Sequence, residues 1–259
     1  LAFPSLAYLE PRKSDRVVVS ALNEIPSNAS VSVMPEFFPH ICNRLDAYPY
    51  FKQGVDYVLI DVYSWWYTAT LPRPADSAPK WSAANVSVDY GIMINSNGIL
   101  LYKRGYKGPV VFEGVSGEYG GHDVTVATGG FSRDNITIGN SIVTVDVLLH
   151  GTADNGPLFF YTSPTVFPPG IYNVTALMRA SSVTSAEVVS FLVTEEPEHA
   201  EIHSERINGT AFTPQGAWGN LMFSFALEKP APIMISVYVS NSTQVYFYSM
   251  KYSQVSGGM

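Results

Sequence analysis

Two histidines and a carboxylate alternate along His199-Ala200-Glu201-Ile202-His203. On a strand, positions i, i+2 and i+4 share one face. Such a face offers two imidazoles and a carboxylate to a divalent ion. The solvent side of an edge strand gives the same spacing, with Ala200 and Ile202 turned inward. No fourth ligand stands nearby. His199, Glu201 and His203 are therefore a weak metal candidate, and the chain is expected to need no metal or other cofactor.

Other chemistry-bearing groups are weighed the same way. Gly114–Asp123 holds Glu118, His122 and Asp123 among glycines. Acid/base pairs occur in such loops, but so do plain connections rich in turn formers. The stretch is neither a G-x-S-x-G elbow nor a phosphate loop, since no Gly-Lys-Ser/Thr follows. His40 precedes Cys42, yet i and i+2 on a short helix point apart. A buried thiol and a capping or packing histidine are the expectation there. Asp56 and Asp61 bracket an apolar run and read as structural. Trp65, Trp66, Tyr67 and Trp81, or Tyr246, Tyr248 and Tyr252 on one face of the last strand, would suit sugar stacking; core or interface aromatics are commoner.

Six N-x-S/T sequons stand at Asn28, Asn85, Asn135, Asn173, Asn208 and Asn241. Chance would give roughly two among 13 asparagines. Each marks a surface position in a chain that meets the glycosylation machinery. Charged residues are only 14% of the chain, against roughly 25% in soluble domains. Sugars, Ser, Thr and Tyr would replace ionic groups in keeping such a surface solvated.

The net charge of −7 and the lack of a basic run argue against nucleic-acid binding, which needs clustered Lys and Arg. No apolar run reaches about 18 residues. The single cysteine, Cys42, excludes an internal disulfide framework. Together these features point outside the cell, and suit an archaeal surface protein better than an animal secreted one.

The elements that carry these residues follow from periodicity. Ser14–Ile25 reads as a helix, with Val18, Ala21, Leu22 and Ile25 on one face and Pro26 as its stop. Ala29–Met34 alternates as a short strand, Pro35 opens a short helix, and Val55–Val62 is a buried strand, giving a small α/β unit. Residues 63–86 read as a long loop. Asn97-Gly98 between two apolar runs signals a hairpin. From Gly108 onward the expected strands are short: Val110–Glu113, Val124–Thr128, Ile142–Leu149, Leu158–Tyr161, Ile171–Met178, Glu187–Val193, Leu221–Leu227, Ile233–Tyr238 and Val245–Tyr252. That density suggests a β-sandwich.

Four blocks carry a family resemblance: Ile25-Pro26-Ser27-Asn28-Ala29-Ser30-Val31-Ser32-Val33, Pro39-His40-Ile41-Cys42-Asn43-Arg44, Val55-Asp56-Tyr57-Val58-Leu59-Ile60-Asp61, and Gly98-Ile99-Leu100-Leu101-Tyr102-Lys103-Arg104-Gly105. In order and spacing, residues 10–106 resemble the C-terminal soluble part of domain-of-unknown-function family 2079, polytopic membrane proteins of archaea and some bacteria. Ile41 and Cys42 stand where Leu and Ser are usual, and Tyr50-Phe51 replaces the usual Phe-Pro. The resemblance implies an outward-facing portion just after a last membrane helix, with residues 1–10 beside an upstream anchor. It implies no catalytic residues.

The expected fold is mostly β, with a small N-terminal α/β module (1–107) and a jelly-roll-like β-sandwich domain (108–259). The expected function is that of an extracellular, N-glycosylated, non-enzymatic structural protein of the cell surface. It would self-associate by β-edge contacts into an oligomer or filament, with Leu1, Phe3, Leu6, Tyr8 and Leu9 as the assembly segment. Its partners would be itself and its covalent glycans. The alternative is a carbohydrate-binding or accessory ectodomain of a membrane protein that handles glycans. A hydrolase using Glu118 or His122 ranks third.

Overall fold

The computed structural model describes residues 13–64, 89–138, 141–154, 156–212, 214–240 and 242–257. The expected loop at 63–86, its Trp65, Trp66, Tyr67 and Trp81, and the assembly segment Leu1–Leu9 lie wholly or mostly outside them.

The N-terminal module opens with α1 (Lys13–Asn23). Val18, Ala21, Leu22 and the following Ile25 are buried together, as the helical spacing requires. β1 (Val31–Val33) is buried at every position rather than at alternate ones. The reason is its place in the sheet: β1 pairs in parallel with both β2 (Ala47–Tyr48) and β3 (Tyr57–Asp61). Apolar clusters cover both faces of that sheet. Ser32 is tolerated inside because its hydroxyl oxygen accepts the Lys52 N–H at 3.0 Å. The short helix after Pro35 is a single 3-10 turn, Phe38–His40.

β4 (Tyr90–Ser96) and β5 (Ile99–Arg104) form the expected hairpin. Asn97 and Gly98 both take positive φ, 49° and 84°, as a primed two-residue turn demands. β6 (Val111–Glu113) pairs in parallel with β4. It therefore completes the first sheet, in the order β2-β1-β3-β5-β4-β6. The chain thus leaves this sheet at Gly114, several residues past the expected division at 107/108.

The remaining strands are β7 (Ser116–Gly120), β8 (Val124–Val126), β9 (Gly130–Ile138), β10 (Ser141–His150), β11 (Leu158–Thr162), β12 (Thr165–Phe167), β13 (Gly170–Ala180), β14 (Glu187–Glu195), β15 (Ala200–Asn208), β16 (Gly219–Leu227), β17 (Ala231–Val239) and β18 (Val245–Ser256). They build two sheets. One runs β16-β13-β18-β10-β9, with β7 also on β18; the other runs β15-β14-β17-β11-β8, with β12 also on β17. The protein is mostly β, with a small α/β module and a β-sandwich.

Alternation makes the sandwich. Tyr172, Val174, Ala176, Met178 and Ala180 point inward from β13, and Ile233, Ile235, Val237 and Val239 from β17. Aromatic rings lock the two sheets, with Phe160–Phe247 at 4.3 Å and Phe191–Phe223 at 5.0 Å between centroids. Such pairs add about 0.5–1.5 kcal/mol each beyond their buried area.

The module and the sandwich share an interior. Val166 of β12 packs with Met34, Val58, Ile60 and Leu100. Asn95, wholly buried, donates from Nδ2 to the carbonyls of Pro169 (2.8 Å) and Gly257 (2.7 Å). Among the described residues no helix is long and apolar enough to cross a membrane.

Candidate functional site

An open groove of about 460 Å³ lies on the outer face of the β7–β13–β18 strands. Its walls follow from alternation. With Tyr172 and Val174 committed to the core, Asn173 and Thr175 of β13 must face out. β18 pairs Thr175 with Lys251 and Asn173 with Ser253. β7 then sets Glu118 beside Lys251 and Ser116 beside Ser253. On the opposite, core-facing side of the sheet, Tyr252 packs against Gly117 so closely that a Cβ there would overlap its hydroxyl.

Tyr252 itself turns inward, 4.8 Å from Phe167 and 5.6 Å from Tyr119 between centroids. Burial, with a smaller contribution from Tyr119, pushes its hydroxyl up to about 12. The phenol stays protonated on the core side. The Lys251 Nζ and Glu118 Oε1 lie 3.7 Å apart, both well exposed. A pair so placed is weak and easily opened. Ser224 Oγ, from β16, donates to Asn173 Oδ1 at 2.8 Å. The groove therefore presents hydroxyls, one amide, one carboxylate and one ammonium across three strands. This donor and acceptor set suits a polyhydroxylated ligand.

A second aromatic feature sits at the far end of the same sheet. The Arg179 guanidinium lies 3.9 Å from the Tyr246 ring centroid and 5.7 Å from that of Trp218. Its Nη2 approaches Asp134 Oδ2 at 2.8 Å, an ion pair without the alignment of a hydrogen bond. Trp218 Nε1 donates to the Asn135 carbonyl at 3.2 Å. These contacts strap the β9–β10 hairpin to β13 and β16.

The metal candidate is not assembled. His199 stands before β15 with φ of 53°, and its Nδ1 lies 2.9 Å from Glu196 Oε1. A register shift opposite Val193 and Thr194 interrupts β15. That shift breaks the i, i+2, i+4 alignment on which the expectation rested. Glu201 remains exposed, while His203 stacks on Phe223 at 5.6 Å and lies 3.7 Å from Glu205. Among the described residues no group of three His, Cys, Asp or Glu side chains is placed to hold a metal.

Within the glycine-rich stretch, Ser116–Gly120 is strand β7 and residues 121–123 form a turn. Its three groups separate: Glu118 joins the groove, His122 stacks on Phe131 at 4.6 Å, and Asp123 accepts the Gly120 N–H at 2.8 Å. Cys42, expected to be buried, is exposed and donates to the Pro39 carbonyl at 3.4 Å. His40 closes the 3-10 turn and is also exposed.

Asp56 is structural. Its Oδ2 accepts the hydroxyl (2.8 Å) and N–H (3.0 Å) of Ser30, and its Oδ1 pairs with Arg104 at 2.8 Å. The Ser30 bonds first, then Arg104, hold this carboxyl below the usual carboxylate range against an opposing desolvation. Asp61 accepts the Tyr63 N–H at 2.8 Å. Tyr246, Tyr248 and Tyr252 do not share a face. A register shift near Tyr248 leaves Tyr246 opposite outward-facing Arg179 and Tyr252 opposite inward-facing Val174.

Four sequon asparagines fall among the described residues, and Asn28, Asn135, Asn173 and Asn208 are all exposed. Asn85 and Asn241 lie outside the described residues. The sequence reading missed Thr175, Lys251 and Ser253 as a site. It also missed His150, buried between Phe159 at 5.4 Å and the Gly156 carbonyl at 3.3 Å. No local pattern signals either.

No family model and no curated protein matches the chain. Solved structures with some likeness include the carbohydrate-binding module CBM6cm-2 of Cellvibrio mixtus lichenase 5A in complex with cellotriose. It shows 13% identity over 54% of this chain and 98% of that one, with a TM-score of 0.35. The C-terminal CBM6 of LamC, a marine laminarinase of Zobellia galactanivorans, shows 7% identity over 54% and 100%, TM-score 0.37. CBM27-1 of Caldicellulosiruptor saccharolyticus in complex with mannohexaose shows 14% over 52% and 88%, TM-score 0.32. At these scores the likeness decides nothing about the ligand of this chain.

Proposed function

We propose that the chain is an extracytoplasmic, non-enzymatic module that binds carbohydrate in the β7–β13–β18 groove. The observation that carries this reading is the groove itself. Ser116, Glu118, Thr175, Lys251 and Ser253 converge from three strands on an open concavity, and sugars are recognised by just such hydrogen-bonding edges. Isothermal calorimetry against the hits of a glycan array tests it. Lys251→Ala and Glu118→Ala should each abolish most of the binding heat while leaving the unfolding midpoint in place. Binding that ignores both substitutions would refute the groove as the site, and hydrolysis of a hit that depends on Glu118 or His122 would make the module an enzyme.

The surrounding assignments are part of the same proposal. Exposure of the four described sequons supports N-glycosylation and an extracellular or cell-surface location. The resemblance of residues 10–106 to domain-of-unknown-function family 2079 is in keeping with an outward-facing position beside a membrane anchor.

A second reading, a self-associating structural glycoprotein, has one observation in its favour. β16 is an edge strand of nine residues, Gly219–Leu227, without a charge or a proline. Natural edges usually carry such guards against pairing. Light scattering of the intact chain and of a chain lacking Leu1–Leu9 tests it. Assembly lost on deletion assigns the segment, assembly lost only on Met222→Lys assigns β16, and a monomer throughout removes the reading.

A further inference from the structure

We propose that the groove is the seat of the sugar attached to Asn173, so that glycosylation of this sequon and capture of a free saccharide exclude one another. The inference rests on the groove being the carbohydrate site. Asn173 and Thr175, the first and third residues of the sequon, both line it.

The amide orientation gives the direction. Ser224 on β16 donates to Asn173 Oδ1 at 2.8 Å. β16 and β18 flank β13 on opposite sides. With the carbonyl oxygen turned to β16, the planar amide aims Nδ2 toward β18. Nδ2 is the atom that carries an N-glycan, and Ser253 stands directly opposite Asn173 on that side. The first sugar thus starts inside the groove, with Lys251 and Glu118 one pleat further along β18 and β7.

Tethering decides the competition. A saccharide on a short linker is present at an effective concentration in the millimolar range. A free ligand of ordinary affinity and abundance does not displace it. The same protein would then have two forms, closed when Asn173 is occupied and receptive when it is bare.

Lysine acetylation by an N-hydroxysuccinimide ester, read residue by residue in the mass spectrometer, tests the closure on the natively glycosylated protein. Lys251 should react about tenfold slower there than in Asn173→Gln, as a tethered occupant requires, while exposed Lys107 reacts alike in both. Thr175→Ala, which removes the sequon by its other end, should match Asn173→Gln. A bare Asn173, or equal Lys251 rates with the glycan in place, overturns the inference. A glycan array separates it from the function above. Capture by the bare protein alone, made in a host without N-glycosylation so that Asn173 and Thr175 stay in place, supports both. Capture by both forms, lost on Lys251→Ala, overturns the closure and keeps the function. Capture by neither form overturns the function and, with it, the exclusion, whatever the Lys251 rates.

Discussion

Asn95 and Gln254 donate to the same acceptor, the Pro169 carbonyl oxygen, each at 2.8 Å. One belongs to the central hairpin of the α/β module and the other to the last strand of the sandwich. Gln254 Oε1 also accepts the Val115 N–H at 3.1 Å, so the segment between β6 and β7 that links the two units is held by the same amide. Buried polar networks of this kind are costly when broken; Asn95 Oδ1 is itself buried without a partner, so its two N–H donors carry the link.

Asn95→Ala should therefore destabilise the protein by about 1–3 kcal/mol, since it leaves the Gly257 carbonyl without this donor. Urea unfolding followed by tryptophan fluorescence and by far-ultraviolet dichroism checks it. The wild type should give one coincident transition; coincidence lost in the variant would locate the coupling at this amide.

Stability should fall in acid partly through Asp56. Its folded carboxyl titrates below the ordinary value of 3.8. The contribution is therefore in place above that unfolded value, and is lost as pH falls through the folded one. Asp56→Asn should flatten the decline in urea midpoint between roughly pH 6 and pH 2. Ser30→Ala and Arg104→Gln should each raise the Asp56 pKa, since the serine hydroxyl bond is the first cause of its depression and the guanidinium a further one. Carboxyl carbon shifts measured by NMR read both.

Arg179 should resist replacement even by lysine. Only a planar guanidinium can lie between Tyr246 and Trp218 and still reach Asp134. Arg179→Lys should cost about 1 kcal/mol. Amide exchange in β9 should speed up around Asp134 and Ile136, with little change in β14. Uniform acceleration through both sheets would show that the arginine supports the whole sandwich rather than the hairpin.

Tyr172→Phe isolates one buried hydrogen bond. The hydroxyl donates to the Pro168 carbonyl at 2.7 Å, and its ring stacks on Phe225 at 5.2 Å. Losing the hydroxyl alone should lower stability by about 1–2 kcal/mol, with the packing retained. A thermal melt of the variant measures this.

The fold was readable wherever local chemistry and burial agree. Asn97-Gly98 specified its turn, Val18 to Ile25 specified a helical face, and most sandwich strands carried alternating apolar residues. β7 and β9 were unreadable because Gly117, Gly120, Asp134 and Asn135 are poor strand formers, held there by their neighbours. β6 reads as one more sandwich strand until its parallel partner β4 is known. The register shifts at Tyr248 and beside Val193 reverse the facing of residues beyond them, which no periodicity records. The groove is harder still: residues 116–118, 173–175 and 251–253 meet only through pairing between distant strands.

The hydrogen bond from Asn95 to Gly257 spans 162 positions of the chain. During synthesis, at about 5–20 residues per second, the hairpin emerges from the ribosome roughly ten seconds or more before the segment that completes its packing. Over that interval the nascent α/β module carries an unfinished flank, and its maturation is tied to the last strand of the sandwich rather than to its own translation.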